Sequence, residues 1–121
     1  MELQRVLKKE KPIQRQHTVK AVGDWHVFAV VGRVDAFNFA EVKAKLDDLA
    51  QKHPHHLAIS LEEADFLCIP FIKLLAQIAE GLKTHGARLA LVAPTEKLKR
   101  QIDIFASLDE MIVFRSIQNL D

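Results

Sequence analysis

Apolar and polar positions fall in blocks along the chain, and the period changes from block to block. Thr18 to Val22 is short and β-branched, and Trp25 to Val31 is largely apolar, with Val27, Val30 and Val31. Both read as strands. Gly23-Asp24 between them has the glycine-first order of a two-residue hairpin turn. From Phe39 to Lys52 the period becomes helical. Phe39, Val42, Leu46 and Leu49 recur at spacings of three and four, while Lys43, Lys45, Asp47 and Asp48 fall mostly elsewhere. Asn38 is placed to cap this helix, Glu41 to complete a capping box, and Phe37 and Val42 to form a hydrophobic staple. Pro54 ends the run.

Leu57 to Leu61 reads as a short buried strand. A second helix is expected from near Pro70, because proline suits a first helical turn. Phe71, Leu74, Leu75, Ile78 and Leu82 give it an inward face, and Gly86 stands where a helix-ending glycine belongs. Leu89 to Val92 is another buried strand. Pro94-Thr95 opens a third helix, with Leu98, Ile102 and Phe105 inward, and Met111 to Phe114 is a last strand. The order β-β-α-β-α-β-α-β predicts an α/β fold: a mixed, largely parallel sheet packed with α-helices, the opening hairpin adding an antiparallel edge.

Composition narrows the function classes. A chain of 121 residues is one domain in size and needs neither disulfide nor metal to fold. Residues 1–16 carry Arg5, Lys8, Lys9, Lys11 and Arg15, and read as a basic arm or a short first helix before a domain over 17–121. This arm lacks the apolar core of a secretory signal, and no apolar run is long enough to span a bilayer. Net charge is only +1, which gives no general pull toward nucleic acid. The single cysteine, Cys68, fits a reducing cytoplasm.

Candidate chemistry is sparse. The four glycines make no phosphate-cradling loop, so no cofactor is expected. His53, His55 and His56 cluster after the first helix, but their spacing falls short of a zinc pattern, and they read as an exposed polar loop. Glu62, Glu63 and Asp65 follow the Leu57–Leu61 strand, at the end where α/β sheets bind ligands. They could serve a receiver-like phosphoacceptor, but read first as acidic residues solvating a loop. Cys68 lies between the apolar Leu67 and Ile69 and reads as a packing residue rather than a redox thiol. No catalytic arrangement stands out, and the chain reads as a non-enzyme.

Phe66 to Ile72 is unusual: seven residues without a charge span a strand-to-helix turn, where polar caps are the rule. Two readings stay open, a buried turn or a partly exposed apolar patch that a partner covers. Phe66 and Ile72 are expected to pack inward. Ile69, preceding proline, is expected to be extended and to point outward. The expected contact surface is Cys68, Ile69, Pro70, Phe71 and Lys73, with Phe37 and Asn38 beside it.

From Thr18 onward the chain resembles a STAS domain, the fold of bacterial anti-sigma factor antagonists. Gly32-Arg33-Val34-Asp35 resembles the family's Gly-x-x-Asp, and Leu57 to Phe66 its central apolar strand with a Phe-containing loop. Gly86 to Val92 is similar to its Gly-x-x-Leu strand entry, and Leu98 to Ile102 followed by Ser107-Leu108 to its third helix and exit. The resemblance implies a regulatory, non-catalytic module whose partner is an anti-sigma factor or another regulatory protein, or its own copy in a homo-oligomer. A small-ligand sensor, with a pocket between Asp35–Asn38 and Phe66–Phe71, is the alternative. The family's regulated members carry a phosphorylated Asp-Ser-Ser-Gly at the second helix. Aligned on Phe66, this chain has Cys68-Ile69-Pro70-Phe71 there, which implies that serine phosphorylation does not regulate it.

Overall fold

The structure is a computed structural model that describes residues 17–52 and 56–120. The basic arm expected over 1–16, and His53 and His55, lie outside the described residues. Strands β1 (Thr18–Val22) and β2 (Trp25–Val34) lead to helix α1 (Phe39–Lys52). Then follow β3 (His56–Leu67), α2 (Ile69–Lys83), β4 (Leu89–Val92), α3 (Glu96–Phe105) and β5 (Ile112–Phe114). Short 3₁₀ turns at Leu108–Glu110 and Ile117–Leu120 flank β5. The expected α/β order is the observed one.

The sheet runs β1-β2-β3-β4-β5, with β1 antiparallel and the other pairings parallel. Val22 pairs with Trp25, so Gly23-Asp24 is a two-residue turn, and Gly23 takes the positive φ of 57° that its first central position demands. Because the parallel strands advance in one direction, right-handed crossovers put all three helices on one face. That face holds the main core, including Phe28, Leu46, Ile59, Phe71, Leu75 and Ile102. A smaller cluster of Trp25, Val27, Ala58, Ala90, Val92 and Leu120 covers the other face. Fully burying each large apolar side chain contributes roughly 1.5–3 kcal/mol.

Three local expectations are corrected. First, β3 does not stop at Leu61 but runs on to Leu67, so Glu62, Glu63 and Asp65 lie in a strand rather than a loop. Its core-facing residues are Leu57, Ile59, Leu61, Ala64 and Leu67, at spacings of two, two, three and three. Each step of three matches a register shift against β2, one after Ser60 and one after Ala64. Such bulges insert one residue each and let the strand bend on.

Second, the helix cap sits one turn earlier than the sequence suggested. Asp35 accepts hydrogen bonds on Oδ1 from the N–H groups of Phe37 (3.0 Å) and Asn38 (3.3 Å), while Asn38 Oδ1 accepts from Asp35 N–H at 2.8 Å. This is a reciprocal capping box, with Asp35 as cap. Phe39 N–H already donates to Asp35 O, four residues back. Glu41 pairs instead with Lys45. The expected staple through Phe37 is absent, since Phe37 is 99% exposed. Val34 and Phe39, which flank the true cap at staple spacing, both pack in the main core.

Third, Phe105 is not an inward residue of α3. Leu98 and Ile102 are buried, but Phe105 is partly exposed and its neighbour Ile104 is 72% exposed.

Candidate interaction surface

The C-terminal ends of β2 and β3 meet the starts of α1 and α2 at one pole of the sheet. Cys68 N–H donates to Val34 O at 2.9 Å, which ties the two strand exits together. Gln101 of α3 reaches the same spot, its Nε2 donating to Leu67 O at 3.3 Å. Asn38 Nδ2 donates to Arg33 O at 2.8 Å. Arg33 lies over the Phe66 ring, 4.6 Å from its centroid, with Nε 3.5 Å from Asp35 Oδ2. Five separate segments are thus fixed around one junction.

The junction is apolar to an unusual degree. Cys68 is the N-cap of α2, in extended conformation, and its side chain makes no capping hydrogen bond. Pro70 has no N–H to satisfy, and the N–H groups of Phe71 and Ile72 both turn back to Cys68 O. The helix therefore opens without a polar cap or an acidic residue in its first turn, which leaves room there for apolar side chains.

The expected contact residues divide. Phe37, Ile69, Pro70 and Lys73 are exposed, Asn38 is half-buried, and Cys68 is half-buried against the main core. Phe71 is fully buried, so it is a core residue and not part of an accessible surface. The extended residue before the helix is Cys68, whereas Ile69 is already helical, yet Ile69 still projects outward at 41% exposure. Of the two residues expected to pack inward, Ile72 is fully buried and Phe66 only half-buried, under Arg33.

Ile104 was missed by the sequence reading. It lies three residues beyond Gln101, which bonds to Leu67 O, and is 72% exposed. Its signal was Ile104-Phe105 only one residue after Ile102, more apolar surface than one inward stripe uses.

The other candidates come apart. His56 is the first residue of β3, its ring 4.9 Å from that of Trp25, and is not part of a loop. Among the described residues no three His, Cys, Asp or Glu side chains gather to hold a metal ion. Among the described residues, four cavities of about 200–380 Å³ lie away from Asp35–Asn38 and Phe66–Phe71. Among the described residues no helix is long and apolar enough to cross a membrane.

A central β-hairpin strand continuing into three same-face crossovers, with Gly-x-x-Asp at the first helix cap, defines the class. The STAS domain family model matches residues 16–120, and the chain belongs to that family. Among solved structures, an anti-sigma factor antagonist of Mycobacterium paratuberculosis superposes with a TM-score of 0.73 at 20% identity, over 89% of this chain and 92% of that one. A Thermotoga maritima protein described as a candidate anti-sigma factor antagonist gives 0.74 at 19% identity, over 86% and 90%. The phosphorylated Bacillus cell fate determinant SpoIIAA gives 0.69 at 14% identity, over 88% and 97%. These likenesses establish the fold. No curated protein matches the chain in sequence.

Proposed function

We propose that this STAS domain is a non-catalytic regulatory module of the cytoplasm that docks an anti-sigma factor or a related regulatory protein at the β3–α2 junction. One observation carries the reading: Phe37 and Ile69 are large, apolar and exposed around a helix start that lacks any polar cap. Burying such side chains on a partner gives the apolar anchor that protein interfaces need, with Lys73 and Arg33 at the polar rim. Serine phosphorylation is not the switch. Between Ser60 and Thr84 the chain has no hydroxyl side chain, and Ser60 is buried. The surface is then constitutively available, and its occupancy follows partner concentration.

The test is affinity capture on wild-type protein and on Ile69→Asp, with bound proteins identified by mass spectrometry. Recovery of an anti-sigma factor by the wild type and its loss with the variant supports the proposal. Sedimentation of the purified protein reads self-association. A dimer broken by Ile69→Asp, with no regulatory protein captured, would assign the surface to a second copy instead.

A further inference from the structure

The pole opposite this junction carries a different kind of site. The turn Gly23-Asp24, the strand starts at His26 and His56, and the α2–β4 connection His85-Gly86-Ala87 line a cavity of about 380 Å³. A second cavity of about 330 Å³ lies between the last turns of α1 and α2, lined by Ala50, Gln51, Ile78, Gly81, Leu82 and His85. The two cavities thus share His85 as a common wall. One lobe is rich in imidazoles and the other is mainly apolar.

Gly81 explains how the apolar lobe exists. Glycine inside a helix is destabilising relative to alanine. No close approach requires it, because a Cβ at Gly81 would meet nothing within 4 Å. Nor is its backbone among those with positive φ. With Ala50 across the cleft, the missing side chain leaves open volume between Ile78 and Leu82 rather than a packed contact.

The polar lobe has the complementary chemistry. An imidazole has one N–H donor when neutral and gains a second donor and a positive charge on protonation, and His85, whose Nδ1 faces Gly81 O, would meet a carboxylate with its second donor. His26, His56 and His85 line this lobe together with one acid, Asp24. Arg88 lines an adjoining cavity with Asp24 and His56. His85 is anchored, its Nδ1 3.1 Å from Gly81 O, so its ring is held where the lobes meet.

We infer that this double cleft binds a small amphipathic anion: an apolar chain lies between α1 and α2 against Gly81, and its carboxylate lies among His85, His26 and His56. Each volume is at the low end for ligand pockets, which run from about 300 to 1,000 Å³, and so suits a short acyl chain. The ligand would clamp the ends of both helices at the pole away from the partner surface.

Octanoate is the probe, titrated into the full chain with octanol and acetate as comparisons. Trp25 is the chain's one tryptophan, and its ring lies 4.9 Å from that of His56, so its fluorescence reports the polar lobe. Octanoate is expected to bind more tightly than either comparison. Gly81→Leu fills the apolar lobe and should weaken octanoate by about tenfold or more. Its melting temperature should hold or rise, since leucine favours the helix over glycine. Gly81→Ala is the milder variant if the leucine disturbs folding. His85→Ala should remove the preference for octanoate over octanol. Absence of octanoate binding at millimolar concentration, or binding that Gly81→Leu and Gly81→Ala leave unchanged, overturns the site. Equal affinity for octanol and octanoate in the wild type overturns the carboxylate end.

Discussion

Val31 N–H donates a hydrogen bond to His17 Nδ1 at 3.0 Å, across 14 residues of sequence. Val31 lies beyond the part of β2 that β1 pairs, which ends at Ala29. The imidazole therefore stands in for a strand at an otherwise open edge.

Nδ1 can accept that bond only while it carries no proton. Burial, chiefly, and then the charge of Lys45 push the His17 pKa below the ordinary 6.5, while Glu41 and a backbone hydrogen bond with Ala29 oppose them. The unfolded chain therefore takes up this proton at higher pH than the folded one. The stabilisation is complete above about pH 6.5 and is lost as pH falls toward the depressed folded value. Urea unfolding across this range should show a falling midpoint in the wild type. His17→Gln keeps an acceptor without the titration, and its midpoint should fall less. An identical fall in both would mean that another group dominates.

The cap of α1 gives a second prediction. Asp35→Ala should cost about 0.5–2 kcal/mol, the usual range for losing a helix cap. Asn38→Ala should be destabilising too, because it removes bonds to Asp35 N–H and Arg33 O. The two losses should be non-additive in a double-mutant cycle, since the side chains form one box. Glu41→Ala should stay within about 0.5 kcal/mol, because Glu41 is an exposed partner of Lys45 and not of the box. If Glu41 proved the costlier loss, the cap would lie at Asn38 after all.

What was legible in the sequence followed from unbroken periods. Val42 and Leu46 in α1, and Leu74, Leu75, Ile78 and Leu82 in α2, repeat at helical spacing and are buried as expected. The upper half of β3 was illegible because two bulges stretch its inward spacing from two to three, which makes Glu62 to Asp65 look like a loop. The cap was misplaced because Asn38-Phe39-Ala40-Glu41 fits the capping-box pattern, and only the observed bonds choose Asp35 over it. In the site, Phe71 belonged to the helix's inward stripe and that stripe won. The contact of α3 with the end of β3, through Gln101 and Leu67 O, is tertiary and no local pattern encodes it.

Cys68 packs against the main core and makes no side-chain capping bond, so it is expected to be a slow thiol without a redox role. Labelling of the native protein with a maleimide should run severalfold slower than in denaturant. Equal rates would show that the junction opens readily and would revive a redox reading.

Ile69 and Phe71 sit two residues apart, and the structure assigns them opposite roles. Ile69 is 41% exposed at the first position of α2, whereas Phe71 is fully buried. Ile69→Asp places a carboxylate in the first turn, where the helix dipole favours negative charge by about 0.3–1 kcal/mol. Stability should therefore hold or rise slightly. Partner binding should fall by about tenfold or more, because a charge then enters an apolar contact. Ile104→Asp should repeat this pattern more weakly if α3 completes the surface. Phe71→Asp should instead unfold the domain, since an unpaired charge cannot be accommodated in the core. Thermal melts and binding titrations on the three variants separate the roles. If Ile69→Asp unfolds the protein, the residue is core. If it leaves both stability and binding unchanged, partners dock elsewhere and the proposed surface is wrong.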